Sequence, residues 1–292
     1  MQATGIPPAS ALDEQTILRN RMKKIKHKIA VISGKGGVGK TVTAVNLAIA
    51  FAMQGHENRV GLLDADLHGP CVPKMLGMED KKLKVGPIGA FPAVGPLGVK
   101  VASMAFVLAG KEVPVVWRGP LKMRAIQQFL SEVAWGELDF LLIDLPPGTG
   151  DEPLSVLKLL PDMDGVVIVT IPSEVSQTVV GKSITFSRQL NVPVIGIIEN
   201  MSGFVCPDCG KETYIFKSGG GEKVAQDFSV PFLGKIPIDP RVCEASDIGH
   251  PFIMEYPDSP ASKAFMDIVE KIKTYIQNKE NSKPSPGKTS SK

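Results

Sequence analysis

No apolar run in this 292-residue chain reaches the roughly 18 residues a membrane-spanning helix needs. The longest helical candidate, Val42 to Met53, carries Asn46 in its middle. The N-terminus lacks an apolar core followed by a small-residue cleavage site, and Asp13 and Glu14 interrupt what would otherwise be a basic leader. The sequence is therefore read as cytoplasmic, with no membrane association expected. Cysteine is scarce: Cys71, Cys206, Cys209 and Cys243 are too few for a disulfide scaffold in a chain this long, and only Cys206 and Cys209 are closely spaced. Charge is nearly balanced at +3, and the excess is terminal. Six Lys/Arg stand against Asp13 and Glu14 in residues 1–28, and four Lys against Glu280 in residues 278–292. The body between them is mildly acidic, which argues against a basic groove and hence against specific nucleic-acid binding. Internal repeats and domain linkers are also missing.

The 43% hydrophobic and 22% charged composition is that of a globular protein and excludes wholesale disorder. Short apolar runs alternate with longer segments of helical period, the mark of an α/β fold with a mostly parallel sheet and helices on both faces. Strands are expected over Lys28–Ser33, Arg59–Asp64, Val99–Met104, Asp139–Asp144, Val166–Ile171, Val194–Glu199 and Phe232–Ile236. Helices are expected over Lys40–Gln54, Leu121–Trp135, Glu152–Leu160, Val175–Leu190, Gly220–Phe228 and Ala261–Gln277, the last with a core stripe of Phe265, Ile268, Val269, Ile272 and Ile276. The glycine- and proline-rich stretch from Lys81 to Pro96 reads as an inserted surface loop. Residues 1–26 are read as a flexible basic arm, 27–277 as one domain and 278–292 as a disordered polar tail.

Chemistry concentrates first in Gly34-Lys-Gly-Gly-Val-Gly-Lys-Thr41, which fits a P-loop between a predicted strand and a predicted helix. Such a loop wraps phosphate with backbone N–H groups. Its glycines, Gly34, Gly36, Gly37 and Gly39, keep side chains out of the way around Val38, and the following helix aims its positive end at the anion. Lys40 is expected to neutralise the β- and γ-phosphates of ATP and Thr41 to ligate Mg²⁺. Leu62-Leu-Asp-Ala-Asp66 ends an apolar strand with two acids, Asp64 and Asp66, that share one side if the strand geometry persists. Such carboxylates suit a hydrated Mg²⁺ and an attacking water. Phe140-Leu-Leu-Ile-Asp144 closes another strand on an acid expected to hold Mg²⁺ through water. Gly148, after it, is placed to sense the γ-phosphate through its N–H.

Cys206-Pro-Asp-Cys209 puts two thiolates on one knuckle, suited to zinc or an iron–sulfur cluster. Two thiols are half a site, and the economical completion is the same knuckle from a second copy across a two-fold axis. Cys71 and Cys243 lack ligand spacing and are read as buried thiols. His68 is given a supporting or packing role.

The lysine at Lys35 makes the loop resemble those of the deviant Walker A ATPases, the MinD/ParA-like and nitrogenase-iron-protein-like class. The resemblance implies that Lys35 reaches the partner's nucleotide in a homodimer, that Asp64 belongs to the metal's water shell, that Asp66 orients the attacking water and that Asn200 reads adenine. Over roughly residues 25–275 the chain further resembles the Mrp/ApbC group of iron–sulfur cluster carrier ATPases. The resemblance is carried by the P-loop, Asp64-Ala-Asp-Leu-His-Gly-Pro70, Leu145-Pro-Pro-Gly-Thr-Gly-Asp151, Glu199-Asn-Met-Ser202, the cysteine pair and Ile236-Pro-Ile-Asp-Pro240. It implies a dimer that holds a labile [4Fe–4S] cluster on its two knuckles, receives it from a cluster donor and passes it to apo-proteins under ATP control. Two alternatives stand beside it: a MinD/ParA-like positioning ATPase, and an ATPase whose knuckle holds structural zinc.

Overall fold

The computed structural model describes residues 11–67, 69–106, 119–206 and 208–282. His68 and most of the expected tail, 283–292, lie outside them. The elements run α1 (Ala11–Met22), β1 (Ile25–Ser33), α2 (Lys40–Phe51), β2 (Val60–Asp64), α3 (Val72–Met75), β3 (Lys84–Gly86), β4 (Gly89–Phe91), β5 (Ala93–Val94) and β6 (Lys100–Ser103). They continue with α4 (Gly119–Glu132), β7 (Leu138–Asp144), α5 (Asp151–Leu159), β8 (Gly165–Thr170), α6 (Glu174–Gln189) and β9 (Val194–Glu199). The last are β10 (Phe204–Val205), β11 (Glu212–Thr213), α7 (Gly220–Asp227), β12 (Phe232–Lys235), α8 (Arg241–Ile248), α9 (Phe252–Glu255) and α10 (Pro260–Asn281).

An eight-stranded sheet has the order β12-β9-β8-β1-β7-β2-β6-β5. Its pairings are parallel except for the antiparallel edge strand β5. All seven expected strands lie in it. Successive residues point to opposite faces, and both faces are covered. Ile29 and Val31 join Leu62, Leu142 and Val169 under α2, α9 and α10, while Ala30 and Ile32 join Leu63, Ile143 and Ile168 under α1, α4, α5, α6 and α7. Burial on both faces is why these strands read as continuous apolar runs rather than as alternation. The Phe265 to Ile276 stripe of α10 is buried in the first of these layers. The helix starts where Ser259 accepts the Ser262 amide (3.1 Å) and Pro260 takes the first helical position.

Three readings need correction. Residues 11–26 are not a flexible arm: Leu18 and Met22 of α1 are buried with Ile126 and Leu130 of α4, and Arg21 donates to the carbonyls of Ser131 and Ile88. The last helix does not stop at 277 but reaches Asn281. The Lys81–Pro96 stretch is at the surface, yet it contains the hairpin β3–β4 and the edge strand β5.

The order of the strands locates the site. The chain leaves β1 through α2 and returns as β2 on the far side of β7. The C-terminal ends of β1, β7 and β2 therefore frame a crevice, the place where open α/β sheets take ligands.

Candidate functional site

The P-loop joins β1 to α2 with Gly37 (φ 79°) and Gly39 (φ 78°) both left-handed. Gly39 is doubly constrained, since a Cβ there would also fall on Asn200 Nδ2. Lys35, Gly37, Lys40, Thr41, Asp66 and Cys71 are among the residues around a cavity of about 220 Å³ at the start of α2. Among the described residues no carboxylate pairs with Lys35, which is half-buried at the rim of this cavity.

Beneath the loop, Asp64 and Asp144 are directly opposed in the β2–β7 register and both wholly buried. Lys40 Nζ lies 2.6 Å from Asp144 Oδ1, and Thr41 Oγ1 donates to Asp144 Oδ2 (2.7 Å). Asp64 accepts from Ser103 Oγ (2.9 Å) and, more weakly, from the amides of Val72 and Asp66 (both 3.3 Å). The two acids share one nearby cation. Burial, then the Asp144 charge, pushes the Asp64 carboxyl up to about 8. Burial also raises Asp144, against the pull of Lys40. Two buried carboxyls served by a single lysine, beside a threonine hydroxyl, suit a hydrated divalent cation, so the residues present fit Mg²⁺.

Asp64 and Asp66 do not share one strand face as the spacing suggested. β2 ends at Asp64, the Asp66 amide turns back onto Asp64 Oδ1, and Asp66 borders the cavity while accepting from the Gly69 amide (3.3 Å). Gly148 is left-handed (φ 93°), but its N–H donates to Ser33 O (2.8 Å), so here it is tied to the end of β1. Asn200 closes the far side, with its Nδ2 donating to Val38 O (2.9 Å).

The cysteine knuckle stands on a small hairpin, β10–β11, that follows β9. The Cys206 amide donates to Lys211 O (3.0 Å) and the Gly210 amide to Cys206 O (2.9 Å). The amides of Cys209 and Asp208, then the Cys209 thiol, draw the Cys206 thiol below its usual value. Amide donors on sulfur favour the thiolate, the form that ligates metal. Among the described residues no group of three or more His, Cys, Asp or Glu side chains is gathered for a metal. Cys71 and Cys243 are exposed rather than buried, and Cys71 borders the P-loop cavity.

The family model ParA, described as "NUBPL iron-transfer P-loop NTPase", matches residues 24–273. The chain belongs to this family. An iron–sulfur cluster carrier protein of Saccharolobus solfataricus is 52% identical over 258 residues, covering 88% of this chain and 86% of the relative. A nucleotide-binding protein of Archaeoglobus fulgidus, solved in complex with ADP and with cobalt, superposes with a TM-score of 0.74 at 42% identity over 86% of this chain and 96% of that one. The cell division ATPase MinD of Pyrococcus furiosus, at 23% identity and a TM-score of 0.63 over 85% of this chain and 98% of its own, shares the fold. Among the described residues no helix is long and apolar enough to cross a membrane.

For a P-loop NTPase of this family, the site also uses residues that the sequence reading passed over. Ser103 is one, and its signal was available, since a hydroxyl ending a strand beside Asp64 falls in register with it. Glu199, buried at the end of β9 behind Asn200, lies outside the phosphate cavity itself. The raised Asp64 carboxyl has a measurable consequence. Binding of Mg²⁺ with nucleotide at pH 7 is expected to release close to one proton per chain, fading above about pH 9, because the cation requires the ionised form. Calorimetry in buffers of different ionisation enthalpy reads this directly. No release at pH 7 would mean that Asp64 is already ionised before metal arrives.

Proposed function

We propose that the chain is an ATP-binding and ATP-hydrolysing carrier that assembles a [4Fe–4S] cluster between two copies of itself and delivers it to apo-proteins. The observation that carries this reading is the Cys206–Cys209 pair, two thiols on one hairpin with no further metal ligand gathered about them among the described residues, in a chain with a complete phosphate loop. Two such knuckles across a two-fold axis supply the four thiolates a cubane takes. A cluster donor and recipient proteins follow from the role, and reduced thiols call for a reducing compartment such as the cytoplasm. The 52% identity with the Saccharolobus carrier supports the same reading.

In this reading Gly34 to Gly39 wrap the phosphates with backbone N–H groups, and Lys40 exchanges Asp144 for the β- and γ-oxygens. Thr41 ligates Mg²⁺, and Asp144 and Asp64 hold its water shell. The bound cation supplies charge neutralisation for the leaving diphosphate. Asp66, at the open side of the cavity, orients the attacking water. Lys35, with no carboxylate partner among the described residues, reaches across the dimer, and Asn200 gives up Val38 O to read adenine, an edge its amide can both donate to and accept from. Gly148 exchanges Ser33 O for the γ-phosphate.

The test is anaerobic reconstitution of wild type and the Cys206→Ala/Cys209→Ala double variant, followed by iron, sulfide and zinc analysis. About four iron and four sulfide per wild-type dimer, lost in the variant, are expected. Zinc alone would make the pair a structural staple. An absence of metal with intact ATPase, and nucleotide-governed sedimentation with anionic vesicles or DNA, would make the chain a positioning ATPase.

A further inference from the structure

The segment that carries the knuckle leaves the sheet after β9 and returns at α7, and one side chain holds both of its ends. Glu199 is wholly buried. Its carboxylate accepts from Ser202 Oγ on the outgoing side and from the amides of Gly219 (2.9 Å) and Gly221 on the returning side. Ser202 Oγ lies 3.1 Å from Ser218 Oγ, which closes the loop a second time. The approach is close enough that a Cβ on Gly221 would lie 3.1 Å from the Glu199 Cβ. A buried carboxylate with no cationic partner among the described residues is tolerated here because three donors and the N-terminal end of α7 compensate its charge.

The next residue faces the P-loop. Asn200 N donates to Thr170 O (2.7 Å), fixing it to the sheet, and its Nδ2 donates to Val38 O in the P-loop. Residues 199 and 200 therefore share one rigid peptide, with the P-loop bonded on one side and both ends of the knuckle segment on the other. Met201 (φ 55°) and Gly203 (φ 80°) are both left-handed, so the outgoing turn is tight and has little slack to absorb a movement of Asn200. A ligand that takes the Asn200 amide from Val38 O acts on the residue joined by this peptide to Glu199, whose carboxylate is bonded to Ser202, Gly219 and Gly221.

We propose that Glu199 is the positioning residue through which nucleotide at the P-loop sets the geometry of the Cys206–Cys209 knuckle. The proposal rests on the carrier reading, which its test leaves separately decidable. Reduced full-length protein is titrated anaerobically with Co²⁺ and followed by the thiolate-to-cobalt charge-transfer band, without nucleotide and with Mg²⁺ and a non-hydrolysable ATP analogue. In wild type the analogue is expected to shift the apparent Kd for Co²⁺ at least about 5-fold, and Co²⁺ to shift the analogue's affinity by the same factor, since coupling is reciprocal. Glu199→Gln places an amide against the Gly221 N–H. It is expected to bind Co²⁺ and the analogue singly within about 3-fold of wild type while the mutual shift falls below about 2-fold. A residue that merely stabilised the fold would alter both single affinities or neither, and would leave the shift. A wild-type shift retained in Glu199→Gln, or no shift in wild type, overturns the proposal, whereas the carrier reading falls only if wild type takes up no cluster. Should Glu199→Gln fail to fold by circular dichroism, Ser202→Ala decides. It removes one of the three donors and keeps both amides, and a reduced shift supports the role while an unchanged one overturns it.

Discussion

Replacing Lys40 with alanine is expected to weaken nucleotide binding by roughly 100-fold or more and, in the same variant, to destabilise the nucleotide-free protein. Each charge-assisted hydrogen bond from the ammonium to a phosphate oxygen is worth about 1.5–3 kcal/mol, so losing two accounts for the first effect. The second follows from what Lys40 does without nucleotide. Its Nζ lies 2.6 Å from Asp144 Oδ1, and both side chains are buried. Without it, Asp64 and Asp144 face each other with no counter-charge. Removing one partner of a buried pair destabilises by about 3–5 kcal/mol. The sign with pH distinguishes this from lost packing. The variant's Asp144 carboxyl rises further, so its folded form holds a proton the unfolded chain has released. Its deficit is therefore largest at alkaline pH and shrinks toward pH 4. Urea unfolding at pH 5 and pH 8, with a fluorescent-ATP titration, checks both halves. A deficit equal at the two pH values would assign the loss to packing, and an unchanged affinity would remove Lys40 from the phosphate site.

Much of this arrangement is legible in the sequence, for a physical reason. A strand covered on both faces must be apolar, so β2, β8, β9 and the C-terminal parts of β1 and β7 announce themselves as apolar runs, and the acids that end β2 and β7 stand out against them. The P-loop is equally plain, because glycine is favoured at left-handed Gly37 and Gly39 and a Cβ at Gly39 would also strike Asn200. Helix α1 is hidden by the same logic: Leu18 and Met22 are too few to show a period, although they are buried against α4, while the neighbouring Ile17 is exposed. Helices α8 and α9 are short, and α9 is only four residues long, less than two helical turns.

What sequence leaves unread is pairing across distance. That Glu199 holds both ends of the knuckle segment depends on Gly219 returning to it from twenty positions along the chain, a matter of tertiary packing rather than of local pattern. Cys71 was assigned to the interior because free cysteines are usually buried. It sits at the start of α3, where the turn after Asp66 delivers it to the cavity rim. The i, i+2 spacing of Asp64 and Asp66 misleads in another way, since strand alternation does not persist two residues past the end of β2 at Asp64.

Asp64→Asn is expected to stabilise the nucleotide-free protein at pH 8 while lowering Mg²⁺-dependent ATP hydrolysis by roughly 100-fold or more. The substitution preserves shape. Its single oxygen can still accept from Ser103 Oγ and the Val72 amide, and what it loses is the weak bond from the Asp66 amide, 3.3 Å long. It also removes one of the two buried charges. Because burial and Asp144 raise the wild-type carboxyl to about 8, the wild-type fold keeps its full stability below the unfolded carboxylate value, near pH 4, and loses it progressively as pH rises through 8. The amide does not titrate. The two proteins should thus differ little at pH 4, and the variant should gain on wild type across the interval, reaching a margin on the order of 1–3 kcal/mol at pH 8. Hydrolysis moves the other way, because the cation that offsets the wild-type charge is the one that needs it. Thermal unfolding from pH 4 to 9 together with Mg²⁺-ATPase rates separates the outcomes. A variant less stable than wild type at pH 8 would mean that the Asp64 charge is already compensated in the nucleotide-free fold. Undiminished hydrolysis would leave the metal to Thr41 and Asp144 alone.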